Sequence, residues 1–309
     1  MHDVALTDVA DHVRLSLVCK HLAYLVATEQ RIWRGICIGP EFGFAGMQYR
    51  WATPIEWGRN TYPEYYDEEP EHVDEDENII SPREIAERRR IEAHLTTLTL
   101  TPSIYPTWKN MFRHRPRIRF NGCYISTVNY VRSGQASTNQ STWGGSPIHI
   151  VTYYRYLRFF RDGSLVSLLT TMEPNDVVHH LSRENLLLHR DAAQTHLPSS
   201  VMHLAHRGRW RLSPPGTGPN QSITRQGAEK GIASGDSDVY VETEGVGTKY
   251  LYRMDLSMRS AGKTSAARNN KLIWRSFHSY NKLTDDWGEF GLKNDKPFFF
   301  SRVRSYGLK

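Results

Sequence analysis

The chain has 309 residues, 39% of them hydrophobic and 23% charged, with a formal net charge of +6. That length suits about two domains with a buried core, and the absence of any run of about 18 apolar residues excludes a membrane-spanning helix. Cys19, Cys37 and Cys123 are too scattered for a disulfide framework or a zinc site, which points to a reducing compartment, cytoplasm or nucleus.

A pI near 9.2 permits contact with nucleic acid, acidic proteins or phosphopeptides without selecting one. Met1-His2-Asp3 is followed by no hydrophobic stretch of the kind a signal peptide needs. In residues 6–34, Val9, Val13 and Leu17 recur four apart, and Val18, Leu22, Leu25 and Val26 form a second apolar stripe at helical spacing. The stripes are offset, so the chain either turns near Ser16 or is covered on two sides. Thr7 is placed to cap the first helix, and Thr28 to cap a short turn, Glu29 to Arg34, that carries Trp33. Helices this short need a partner for their apolar faces.

Residues 35–63, with Tyr49, Trp51, Trp57 and Tyr62, read as an irregular connector packed on these helices. Residues 64–77 hold nine carboxylates and read as a solvated acidic insertion. Ser81, Pro82 and Glu84 form a capping box that predicts a helix from Pro82 to about Leu95 or Leu98. Arg88, Arg89 and Arg90 either pair with Glu84, Glu87 and Glu92 on a solvated face or touch phosphate.

Trp108, Met111 and Phe112 predict one helical turn, ended by Pro116. From Ile118 alternation predicts a strand, with Gly122 at a bulge or close backbone approach. Arg113, Arg115, Arg117 and Arg119 are spaced by two and would share one face of extended chain. That ladder either guards an edge strand against aggregation or meets an acidic or phosphorylated target. Asp162-Gly163 predicts a hairpin between Val151–Phe160 and Ser164–Thr171. A short helix is expected within Glu173–Glu184, capped by Asn175 or Asp176. Further strands are expected at Arg207–Leu212, Val239–Glu244, Tyr250–Met258, Asn270–Tyr280 and Phe298–Tyr306, with a flexible loop at 213–238. About eight strands joined by hairpins predict an antiparallel barrel.

Two sets of strings carry a family resemblance. VRLSLVCKHLAYLV, with Trp33 fourteen residues after Cys19, closely resembles the second and third helices of an F-box, without the Leu-Pro opening and first helix. RPRIRFNGCYIS, YYRYLRFFRDGSL, NNKLIW and FFFSRVRSY follow in an order that resembles the F-box only protein nine family and its fungal Hrt-three/Pof-seven relatives. The resemblance implies an α+β chain: a partial F-box over 1–36, a linker over 37–102, and a lipocalin-type antiparallel β-barrel over 103–309. It implies docking on the Skp-one adaptor through Val13, Leu15, Leu17, Val18, Leu22, Leu25 and Trp33, and through it on cullin and RING subunits. The chain would then be a non-catalytic substrate receptor of an SCF-type ubiquitin ligase, feeding unidentified proteins to degradation, with neither nucleic acid nor membrane as partner.

The residues themselves offer little for catalysis. His203 and His206 form H-x-x-H with His196 upstream, but no glutamate lies between them as a zinc hydrolase needs. No G-x-S-x-G and no phosphate-binding glycine loop is present, and neither metal nor cofactor is expected. The alternative is a small-ligand barrel with Tyr154, Tyr156, Phe159, Phe160, Trp274 and Phe277 along its pocket, although an interior filled by side chains accounts for these residues equally well.

Overall fold

A computed structural model describes residues 9–40, 42–57, 82–133, 148–191, 195–213, 237–262 and 268–306. Thr7, Ser81, the acidic insertion at 64–77 and nearly all of the 213–238 loop lie outside them. The chain divides into a helical unit, containing residues 9–47 and 82–117, and a β unit, containing residues 48–57, 118–213 and 237–306.

The helical unit holds α1 (Val9–Val18), α2 (Lys20–Thr28), α3 (Gln30–Ile38), α4 (Pro82–Ser103) and α5 (Trp108–His114). The turn between the first two falls at Cys19, not near Ser16: Cys19 is extended and its Sγ accepts from the Leu22 N–H. Glu29, rather than Thr28, caps α3 by accepting from the Arg31 N–H, because the Thr28 hydroxyl bonds back to the Tyr24 carbonyl at 2.8 Å. α4 starts at Pro82 as its capping pattern predicts and continues past Leu98; its backbone leaves helical conformation at Thr101, just before Pro102. Thr107 caps α5.

The β unit holds β1 (Gly122–Ser133), β2 (Ile148–Phe159), β3 (Ser164–Thr170), β4 (Ala205–Leu212), β5 (Ser237–Glu244), β6 (Tyr250–Arg259), β7 (Lys271–Asn281), β8 (Asp286–Glu289) and β9 (Phe298–Arg302). The first seven pair in chain order, all antiparallel, and β9 joins β7 to β1. This closes an eight-stranded barrel, with β8 as a short addition to β7. The strand expected from Ile118 begins only at Gly122, where its partner β9 ends at Arg302. A Cβ on Gly122 would lie 2.1 Å from the Ser301 carbonyl oxygen, so the glycine marks a close backbone approach.

Alternation along the strands sorts the side chains. Tyr124, Leu157, Phe159, Leu165, Trp210, Val241, Leu256 and Phe298 share the inner face and are fully enclosed. Their rings meet edge-on, Phe159 with Trp210 at 5.6 Å and with Tyr124 at 5.5 Å. On the outer face Cys123, Tyr156, Val166 and Leu168 are covered by an excursion between β3 and β4. It contains α6 (Pro174–Val177) and α7 (Arg183–Leu188), each followed by 3-10 turns. β3 is therefore buried on both faces. The short helix expected within Glu173–Glu184 is α6, with Glu173 rather than Asn175 or Asp176 at its cap; α7 follows it, capped by Ser182.

The connector also divides. The Phe44 N–H bonds the Cys37 carbonyl at 2.8 Å and stays with α3, whereas residues 48–57 strap the β unit. The Leu212 N–H donates to the Gln48 carbonyl at 2.7 Å, Trp57 Nε1 donates to the Gly208 carbonyl at 2.8 Å, and Trp51 lies under Arg209 at 4.3 Å. These tryptophans find cations and carbonyls on β4, so this part of the connector belongs to the β unit. At the predicted hairpin, Gly163 has φ +85° and Asp162 Oδ1 accepts from the Ser164 N–H and Oγ.

Glu244 ends β5 and accepts from Arg190 and from the Arg207 side chain and backbone N–H. Burial raises its carboxyl pKa, but these donors outweigh it and bring the group from 4.5 down to about 2. The folded value lies below the unfolded one, so the stabilisation is present above pH 4.5 and is lost as pH falls from there to about 2. Glu244→Gln should therefore lower stability at pH 7 by up to about 3 kcal/mol. The deficit should shrink across that acid window, as followed by denaturant unfolding at several pH values.

Candidate docking surface

α3 and α5 use each other. Trp33 packs on Phe112 with ring centroids 5.5 Å apart, and its Nε1 donates to the Ala27 carbonyl at 3.1 Å. Lys109 Nζ donates to the same carbonyl at 2.8 Å and lies over the Trp33 ring. The Trp108 N–H donates to Gln30 Oε1 at 3.0 Å, and Ile32, Cys37 and Met111 are buried. Burial pushes the Cys37 thiol up to about 12, leaving it an inert filler rather than a nucleophile.

α1 and α2 are different. Leu17 is 79% exposed, Val18 71% and Tyr24 66%; Val13 is also exposed. Leu15, Leu22 and Leu25 are half-buried, and α2 has no buried residue at all. Six of the seven residues expected to dock a partner thus share one hairpin and retain accessible surface. Trp33 is half-buried against Phe112. Tyr24 is a further exposed residue of this hairpin; the string LAYLV contains it, but its phenol reads as a polar position at helical spacing. Ile91 and Leu95 add a second exposed apolar pair on α4, beside Arg88, Thr96 and Thr99 along a shallow hollow.

The arginines spaced by two do not form a ladder. Arg113 is on α5, and the segment after it is not a strand. Arg115 is buried, donates to Thr97 Oγ1 at 3.1 Å and lies 4.3 Å over the Phe44 ring. Arg117 lies 3.6 Å over Phe112, and Arg119 lies 4.7 Å over Phe300. A helix end and an irregular turn separate side chains that an extended strand would have aligned.

His203 bonds the Ser200 carbonyl at 2.6 Å, while His206 lies on β4. Among the described residues no group of three His, Cys, Asp or Glu side chains is placed to hold a metal ion, and no helix is long and apolar enough to cross a membrane.

Residues 100–209 match the family described as F-box only protein C-terminal region. That match runs from the end of α4 through α5, the first three strands and the helical excursion into β4. The chain is 31% identical over 200 residues to F-box protein pof7 of Schizosaccharomyces pombe, covering 65% of this chain and 45% of pof7. It is 33% identical over 196 residues to F-box protein HRT3 of Saccharomyces cerevisiae, covering 63% of this chain and 45% of HRT3. The chain thus spans less than half the length of these relatives. No solved structure matches it.

The two groups of apolar residues should respond differently to substitution. Trp33→Ala removes a packed ring and should cost about 2–4 kcal/mol of stability. Leu17→Asp, at an exposed site, should change it by less than about 0.5 kcal/mol. Chemical denaturation monitored by circular dichroism compares them directly.

Proposed function

From the premise that this chain belongs to the F-box protein family that includes pof7 and HRT3, we propose that it is a substrate receptor of an SCF-type cullin–RING ubiquitin ligase. Its α1–α2 hairpin docks on the Skp-one adaptor, and its barrel presents target proteins. One observation carries this reading: Leu17, Val18 and Tyr24 lie open on a hairpin whose neighbours α3 and α5 are already packed. Exposed apolar patches on a folded protein mark sites for a partner, and burying one aliphatic side chain there contributes about 1.5–3 kcal/mol. No ubiquitin-transferring residue is needed on this chain, because the proposed role is to hold a target near an enzyme carried by other subunits. The three free thiols suit a reducing cytosol or nucleus.

Leu17→Asp combined with Val18→Asp should abolish co-purification with the adaptor while the thermal transition of the barrel stays unchanged. Undiminished co-purification would reject the docking assignment.

A further inference from the structure

The barrel interior changes character along its axis. Two residues along β2 from the enclosed Leu157, the same inward face presents Arg155, opposite Ser126 on β1 and Leu169 on β3. His206 and Tyr252 continue this polar belt on β4 and β6. This half is also the more open one: Leu169 and Phe290 are each 41% exposed, while the inner face around Leu157 is closed.

Arg155 stands out within it. Its guanidinium carbon lies 5.4 Å from the Trp274 ring centre and 4.8 Å from that of Phe277, so the side chain reaches from β2 to the aromatic residues of β7. Among the described residues its Nε has no hydrogen-bond partner, and neither does Oδ1 of Asp295, the acid that acts on it electrostatically. Burial pulls the guanidinium below its ordinary pKa and raises the Asp295 carboxyl. The guanidinium stacks on these rings but has no ion pair among the described residues, which leaves it able to take an anion.

We infer that the open half of the barrel binds a small apolar carboxylic acid, its carboxylate on Arg155 and its apolar body along Trp274, Phe277 and Phe290. The planar guanidinium suits a carboxylate. Phe290 stacks on Phe277 at 4.5 Å, which extends the aromatic wall toward the mouth. Asp295 nearby disfavours a doubly charged phosphate, so a monoanion is the matching head group. A barrel of eight strands can hold at most one small ligand. This site is independent of adaptor docking, since every residue in it belongs to the β unit.

The test is calorimetric titration of the full chain with dodecanoate below its micelle concentration, beside dodecanol and dodecyltrimethylammonium. The expected result is saturable binding of one dodecanoate, with the alcohol and the cation at least about tenfold weaker. Arg155→Gln should lose about tenfold in dodecanoate affinity and leave dodecanol unchanged. No binding, non-saturating binding or equal affinity for the three head groups would overturn the proposal and leave water as the partner of Arg155. An unchanged Arg155→Gln variant would also overturn it. Should that variant fail to fold, the head-group series on the wild-type chain decides alone.

Discussion

The contact between Trp33 and Phe112 sets the terms for the helical unit. Five short or interrupted helices have little apolar surface to share, and this pair takes up the facing sides of α3 and α5. Lys109 and Gln30 fasten the same junction through backbone groups. What is left, on the outer side of α1 and α2, includes Leu17, Val18 and Tyr24, which stay exposed. Helices of nine or ten residues are marginal without tertiary packing, so the proposed docking surface is also a weak point.

The β unit solves the opposite problem. Its strands are rich in aromatic residues that would be hazardous on an open edge. Pairing β9 with both β1 and β7 removes the edges of the main wall. The helical excursion after β3 and the strap at 48–57 then cover parts of the outside. A closed scaffold of this kind is compatible with the proposed role of holding a target while chemistry proceeds elsewhere. The polar half of its lumen is a feature that presenting a target does not require.

Much of this was legible in the sequence, because it rested on local rules. The Asp162-Gly163 turn, the Pro82 helix start and the Trp108 turn depend on neighbours within a few residues. The α1–α2 surface was legible because apolar residues at helical spacing have one outward face. What failed depended on distant partners. The strand at Ile118 waited for β9, whose pairing begins at Gly122. The arginine series looked periodic, yet a helix end at His114 and the aromatic rings of Phe44, Phe112 and Phe300 drew its members apart. β8 carries too few residues for a periodic signal. Arg155 sat in an aromatic string as one more charge until closure of the barrel placed it inside.

The central claim is that α1 and α2 lack cover until a partner supplies it. Hydrogen–deuterium exchange of the full chain, alone and with the Skp-one adaptor, addresses this most directly. The account predicts rapid exchange in residues 11–28 of the isolated chain, strong protection there on adding the adaptor, and no change in β1 through β7. Slow exchange in that hairpin in the isolated chain, unaltered by the adaptor, would contradict it.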